Sequence, residues 1–176
     1  MSLIAKWYGN YALKKALAKE RAGKHLPIAS IKKACILISF GPKAEDESRA
    51  LRKLLKQFKP DLEVDIFAYK SKTSPKEGPF TNFHILTKQD LNWYQRPINM
   101  RVGSVDWLID LTDKKEIPLM FIGAMSNAPM KTGLERDYNS PYLQLMIKPK
   151  ETYSLVYALE QLIHYIKMIK TKEHAA

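Results

Sequence analysis

Three acidic side chains follow one another at intervals of three, Asp110, Asp113 and Glu116, within WLIDLTDKKEIPLMFIGAMSNA from Trp107 to Ala128. Acid–base catalysis needs two carboxyl groups that converge in a cavity, one to accept a proton and one to give it. The same spacing also has an architectural reading. Asp113 with Glu116 has the interval of a capping box, in which each end of a helix's first turn satisfies the other's backbone amide. Asp110, for its part, alternates with apolar residues as on a strand. Caps are the simpler account and a ligand site the sharper one.

A second group with chemical potential is TKQDLNWYQRP, Thr87 to Pro97. Trp93 and Tyr94 beside Arg96 are suited to stacking on bases or sugar rings, whereas packing of the same aromatics on a sheet edge needs no ligand. Lys88, Asp90, Asn92, Trp93 and Arg96, with Asp110, Thr112 and Asp113, therefore form the candidate recognition surface. Other chemistries lack their residues. His25, His84, His164 and His174 are scattered, so no metal set is expected, and His164 reads as a structural imidazole beside a core stripe. Cys35 lies inside the apolar run ACILISF and reads as a buried, inert thiol in a reducing compartment. After that run comes GPKAED, which is neither a dinucleotide fingerprint nor a P-loop, and Glu45, Asp46 and Glu47 occupy the helix start where a phosphate would sit. No cofactor is expected, and catalysis has no positive support.

The elements that must position these groups are legible from periodicity. Residues 2–23 read as a helix with Ile4, Tyr8, Ala12, Leu13, Ala16 and Leu17 on one side, weakened near its start by Gly9 and Asn10. ACILISF reads as a strand covered on both faces. The segment KAEDESRALRKLLKQF reads as a helix with Leu51, Leu54, Leu55 and Phe58 inward, and LEVDIFAY as a second strand. FHIL reads as a short strand, and Thr87 with Asp90 as a capped helical turn. SVDWLIDLT reads as a strand with Val105, Trp107, Ile109 and Leu111 on one side. For Ile117 to Ala124 a hairpin strand competes with a helix. Few β-branched residues, helical spacing of Ile117, Phe121, Ala124 and Met125, and Pro118 tolerated in a first turn favour the helix, with its start near Lys115 or Glu116. Short strands near Met130–Thr132 and in YLQLMIK follow, and then a closing helix on Leu155, Leu159, Leu162, Ile166 and Ile169. Alternation of this kind predicts a three-layer Rossmann-like or flavodoxin-like domain with a mostly parallel sheet, whose ligands would gather at strand ends such as Ser39, Gly41, Thr112 and Asp113.

Charge singles out one end of the chain. The formal net charge is +11, and residues 1–33 carry eight basic side chains against one acidic, so +7 of it lies in the first fifth. We read residues 1–33 as a basic amphipathic arm and residues 34–176 as a single α/β domain. Lys14, Lys15, Lys19, Arg21 and Lys24 are the expected contacts for RNA, a ribonucleoprotein or an acidic membrane face. No apolar stretch reaches the ~20 residues of a spanning helix, so a cytoplasmic protein is expected. The apolar face of the first helix is a candidate dimer contact.

Two resemblances are carried by short motifs. Lys88, Asp90, Leu91, Asn92 and Trp93, then Ile109, Asp110 and Leu111, then Gly133, resemble a family of small bacterial proteins catalogued only as a domain of unknown function. Tyr94 and Thr112 stand where that pattern has Phe and Ser. The resemblance implies a three-layer fold and a helix over residues 116–127, and it implies no activity. VDWLIDL with the helix and KTG also resembles part of the N-terminal half of heptosyltransferase-type glycosyltransferases. That likeness is to β-α-β architecture, because those enzymes need a second, nucleotide-sugar-binding half. The readings carried forward are two: a non-enzymatic binder of an anionic partner through the arm, and a small-molecule or sugar-nucleotide binding domain using the strand ends at Asp110 and Asp113.

Overall fold

The computed structural model describes residues 3–17, 26–71, 83–98, 104–148 and 153–173, with side chains at 3–8 and 170–173 excepted. Lys19, Arg21 and Lys24 lie outside the described residues. Six strands form one sheet: β1 (Lys33–Ser39), β2 (Glu63–Tyr69), β3 (His84–Leu86), β4 (Trp107–Asp110), β5 (Met130–Leu134) and β6 (Leu145–Ile147). Every pairing is parallel and the order is β3-β2-β1-β4-β5-β6. This is the doubly wound Rossmann order, in which the direction of winding reverses between β1 and β4. β1 occupies the middle because ACILISF is apolar at every position, and it is buried from Ala34 to Ile38.

One face of the sheet carries α2 (Ala44–Phe58) and α4 (Leu155–Glu173), packed through Leu51, Leu55, Leu159, Leu162 and Ile166 on Ile36, Ile66, Trp107 and Ile109. The other face carries α3 (Ile117–Met125), which brings Leu119 and Ile122 onto Cys35, Leu37 and Leu108. The contest between helix and hairpin at 117–125 thus resolves as a helix, and its stretch from Pro118 to Gly123 is buried all round, which is why its composition is apolar rather than striped. His164, expected beside the core, is exposed on α4. Val105 joins Cys35 and Leu37 rather than Trp107 and Ile109, because it precedes the strand and is not bound by the strand's alternation.

The first helix, α1 (Leu3–Leu17), lies on the outer side of α3. Leu13 is buried against Met120 and Phe121, with Ala12, Ala16 and Leu17 around it. Of the apolar face considered for a second copy, Ala12, Leu13, Ala16 and Leu17 pack on the chain's own α3, while the side chains of Ile4 and Tyr8 lie outside the described residues. At Gly9 the helix meets the turn at 92–96, where a Cβ would lie 3.0 Å from the Tyr94 carbonyl oxygen. The glycine that weakened the sequence reading of this helix is what allows it to dock. Ala in place of Gly9 should loosen α1 from the body while leaving the sheet intact. Hydrogen exchange is expected to accelerate in α1 and at 92–96 with little change in β1 and β4; unaltered exchange in α1 would contradict that packing.

Candidate functional site

The buried strand end at the winding reversal is built around Asp110, which is 1% exposed. Its Oδ1 accepts the Thr112 amide at 2.9 Å and the Thr112 hydroxyl at 2.7 Å. Its Oδ2 accepts Asn139 Nδ2 at 3.2 Å and the Tyr142 hydroxyl. Asn139 spends its second amide hydrogen on the Leu134 carbonyl at 3.0 Å, and Tyr138 donates to the Thr112 carbonyl at 3.0 Å. Burial beside Asp110 pushes the Tyr142 hydroxyl well above its ordinary pKa, and burial also raises Tyr138. A buried carboxyl group satisfied on both oxygens by neutral donors ties β4 to the β5–β6 connection and has no lone pair aimed at a ligand. Asp110 and Thr112 are thus joined in a buried network that neither the cap reading nor the ligand reading of the sequence described.

Other polar residues around this strand end, and several that carry the family likeness, are likewise held by internal contacts. Thr132 accepts the Trp107 indole N–H at 2.9 Å, and the buried Lys131 Nζ donates to the Gly123 carbonyl at 2.9 Å, closing the end of α3. Gly133 is forced, since a Cβ there would lie 2.3 Å from the Asp110 carbonyl oxygen. Asp90 caps its turn through the Thr87 amide (2.7 Å) and hydroxyl (2.8 Å), as the sequence predicts. Asn92 Oδ1 accepts the amides of Tyr94 and Arg96, each at 3.0 Å, and holds Gln95 at φ 63°, a left-handed conformation that costs a non-glycine residue about 1 kcal/mol or more.

The box expected at Asp113 and Glu116 does not form. α3 begins one residue before Pro118, so Glu116 is itself the N-cap, with no side-chain capping bond, while Asp113 is exposed and its amide donates to Ser39 Oγ at 3.2 Å. Proline shifted the helix start beyond the place that the spacing suggested. Glu116 is raised from 4.5 to about 7, first by burial and then by the charge of Asp113, against the opposing pull of Lys114.

A different surface gathers the remaining candidates. Lys15 from α1 and Asn92, Tyr94 and Arg96 from the turn line one cleft of about 420 Å³, with Phe121, Ala124 and Met125 as its apolar floor. Lys14, Lys15, Lys88 and Arg96 are exposed, and Trp93 is 55% exposed with its ring centroid 4.6 Å from that of Tyr94. The basic helix and the aromatic turn, read separately from sequence, are thus neighbours. Among the described residues no helix is long and apolar enough to cross a membrane, and no group of three His, Cys, Asp or Glu is placed to hold a metal.

A family of unknown function, DUF6913, matches residues 6–169. The chain belongs to that family. No curated protein matches it in sequence. The DUF6913 match spans α1 as well as the sheet, so the helix and the turn that it meets fall within the same family domain.

Two stability outcomes follow from these contacts. Asp110→Asn should cost about 2–3 kcal/mol by urea denaturation, because its new amide nitrogen faces Asn139 Nδ2, a donor that cannot accept; a loss under about 0.5 kcal/mol would mean the network carries little. Glu116 has a folded-state pKa above its unfolded value, so its contribution is fully present below about pH 4.5 and is lost as pH rises to about 7. Glu116→Gln should therefore gain about 2–3 kcal/mol over the wild type at pH 8 and nothing at pH 4, as read from paired denaturation curves.

Proposed function

We propose that this protein is a non-enzymatic module that binds single-stranded RNA, free or within a ribonucleoprotein, in the cleft between α1 and the 92–96 turn. The observation that carries this reading is the meeting of Lys15 and Arg96 with Tyr94 around one apolar-floored cleft. Cations placed beside exposed aromatics are what a sequence-tolerant single-strand site needs: phosphates take the charge and bases take the rings. Trp93 and Tyr94 are a stacking platform, held out by the Asn92 hydrogen bonds. The sequence supplies three further cations, Lys19, Arg21 and Lys24, within eight residues of Leu17. A concave site lined by Tyr94, with Trp93 exposed beside it, fits a nucleobase better than it fits the flat face of an anionic bilayer, which would be met by a convex apolar surface. Lys88 lies on the adjoining turn and Asp90 serves as its cap.

Removal of the whole first helix would uncover Met120 and Phe121, so single substitutions are the cleaner test. With a fluorescent ten-nucleotide mixed RNA, Lys15→Ala and Arg96→Ala should each lower the slope of log affinity against log salt by about 0.7. Trp93→Ala should cost about 1–3 kcal/mol with the slope unchanged. Wild-type affinity in the Lys15→Ala, Arg96→Ala double variant would reject the cleft. Binding to anionic vesicles in place of RNA, lost in the same variants, would transfer the site to membranes.

A further inference from the structure

At the winding reversal two buried polar atoms are left over. Glu116 has a side chain 10% exposed, with Oε1 3.7 Å from Lys114 Nζ and Oε2 buried without a hydrogen-bond partner. Tyr69, 6% exposed at the end of β2, likewise has a buried hydroxyl without one. Ser39 is paired in register with Tyr69 at the end of β1, and its hydroxyl receives the Asp113 amide from the segment leading to Glu116. The two orphaned oxygens thus flank the edge where a doubly wound sheet accommodates ligands. Native proteins satisfy nearly all buried polar atoms, so two such oxygens on adjoining elements call for a shared donor.

We propose that this edge is a binding site for a small organic amine, whose protonated nitrogen donates to Glu116 Oε2 and to the Tyr69 hydroxyl. The acceptor oxygens that receive no hydrogen bond select that class. Glu116 is faced by Asp113 on its own segment, by Asp110 on β4 and by Tyr69 on β2, and Asp113 in turn presses on Glu47 of α2; Lys114, Lys43 and, next to Tyr69 in the chain, Lys70 are the cations of this edge. A phosphate or carboxylate would bring only further acceptors to Glu116 Oε2, whereas an ammonium brings donors. An ammonium carries three N–H donors and no acceptor, matching acceptors that have none to receive. Its arrival would also hold Glu116 ionised, so binding should strengthen as pH rises and release a proton near neutrality. This site is separate from the α1 cleft and stands or falls without it.

The test uses the full chain with ethanolamine, putrescine and spermidine, set against the matching neutral alcohols at constant ionic strength. At least one amine should raise Tm at pH 8 more than at pH 6, with heats of binding at pH 7 that change with the buffer's ionisation enthalpy. The alcohols should do nothing. Glu116→Gln, which is expected to fold stably, should abolish the shift, and Tyr69→Phe should weaken binding about tenfold. No shift with any amine, an equal shift with the alcohols, or a shift that survives Glu116→Gln would overturn the proposal. So would a crystal structure of the amine-soaked protein with only a water molecule bridging the two oxygens.

Discussion

A carboxyl group buried in the middle of a parallel sheet holds the rest in place. Asp110 draws donors from Thr112 beside it and from Asn139 and Tyr142 about thirty residues on, binding the end of β4 to the connection that follows β5. Leaving any of those donors unpaired inside the core would cost about 1–3 kcal/mol each, so the loop from 135 to 144 has little choice of path. The Tyr142 ring then packs with Leu119 and Ile122 of α3. α3 in its turn presents Met120 and Phe121 to α1. Position is thus passed outward from one buried carboxyl group to the helix that carries Lys14 and Lys15.

The division between architecture and surface follows from this chain of contacts. Asp106 also belongs to the architecture, since its carboxyl group receives the backbone amides of Lys32 and Lys33 at 2.8 and 3.0 Å and fixes the entry to β1. Thr132, Lys131, Gly133, Asp90 and Asn92 are all spent on internal bonds or close approach. What remains outward on the α1 side is basic and aromatic. Two of the buried polar atoms left without a hydrogen bond among the described residues, Glu116 Oε2 and the Tyr69 hydroxyl, belong to the strand-end region. The fold therefore separates a basic and aromatic outer surface from the strand ends at which Glu116 and Tyr69 lie.

Much of the framework was legible because burial on both faces leaves a plain signature. ACILISF could only be a central strand, Pro118 fixed the start of α3 to within a residue or two, and the recurrence of Leu155, Leu159, Leu162 and Ile166 marked the closing helix. The Thr87–Asp90 cap was legible because its two partners are three residues apart. The partners of Asp110 were not, since no local pattern links an aspartate to a tyrosine 32 residues later. Nor could periodicity show that Lys131 would be buried against a helix end, or that Gly9 would serve a contact with Tyr94. Among the candidate residues, sequence named both halves of the cleft, Lys15 on one side and Asn92 and Arg96 on the other, without showing that they meet. It placed weight on Asp110 and Asp113, whereas the carboxyl group with a buried oxygen lacking a hydrogen bond is that of Glu116, and Tyr69 was missed because a tyrosine ending an apolar strand carries no mark of an unbonded hydroxyl.

The most direct test of the central claim, that RNA binds between α1 and the turn, is amide chemical-shift mapping of the isotopically labelled full chain with a ten-nucleotide single-stranded RNA. The account predicts that the largest perturbations fall on residues 12–16, 92–96 and 121–125 and on the Trp93 indole N–H, with 39, 69 and 112–116 left in place. Perturbations confined to those strand ends, or none at saturating RNA, would contradict it.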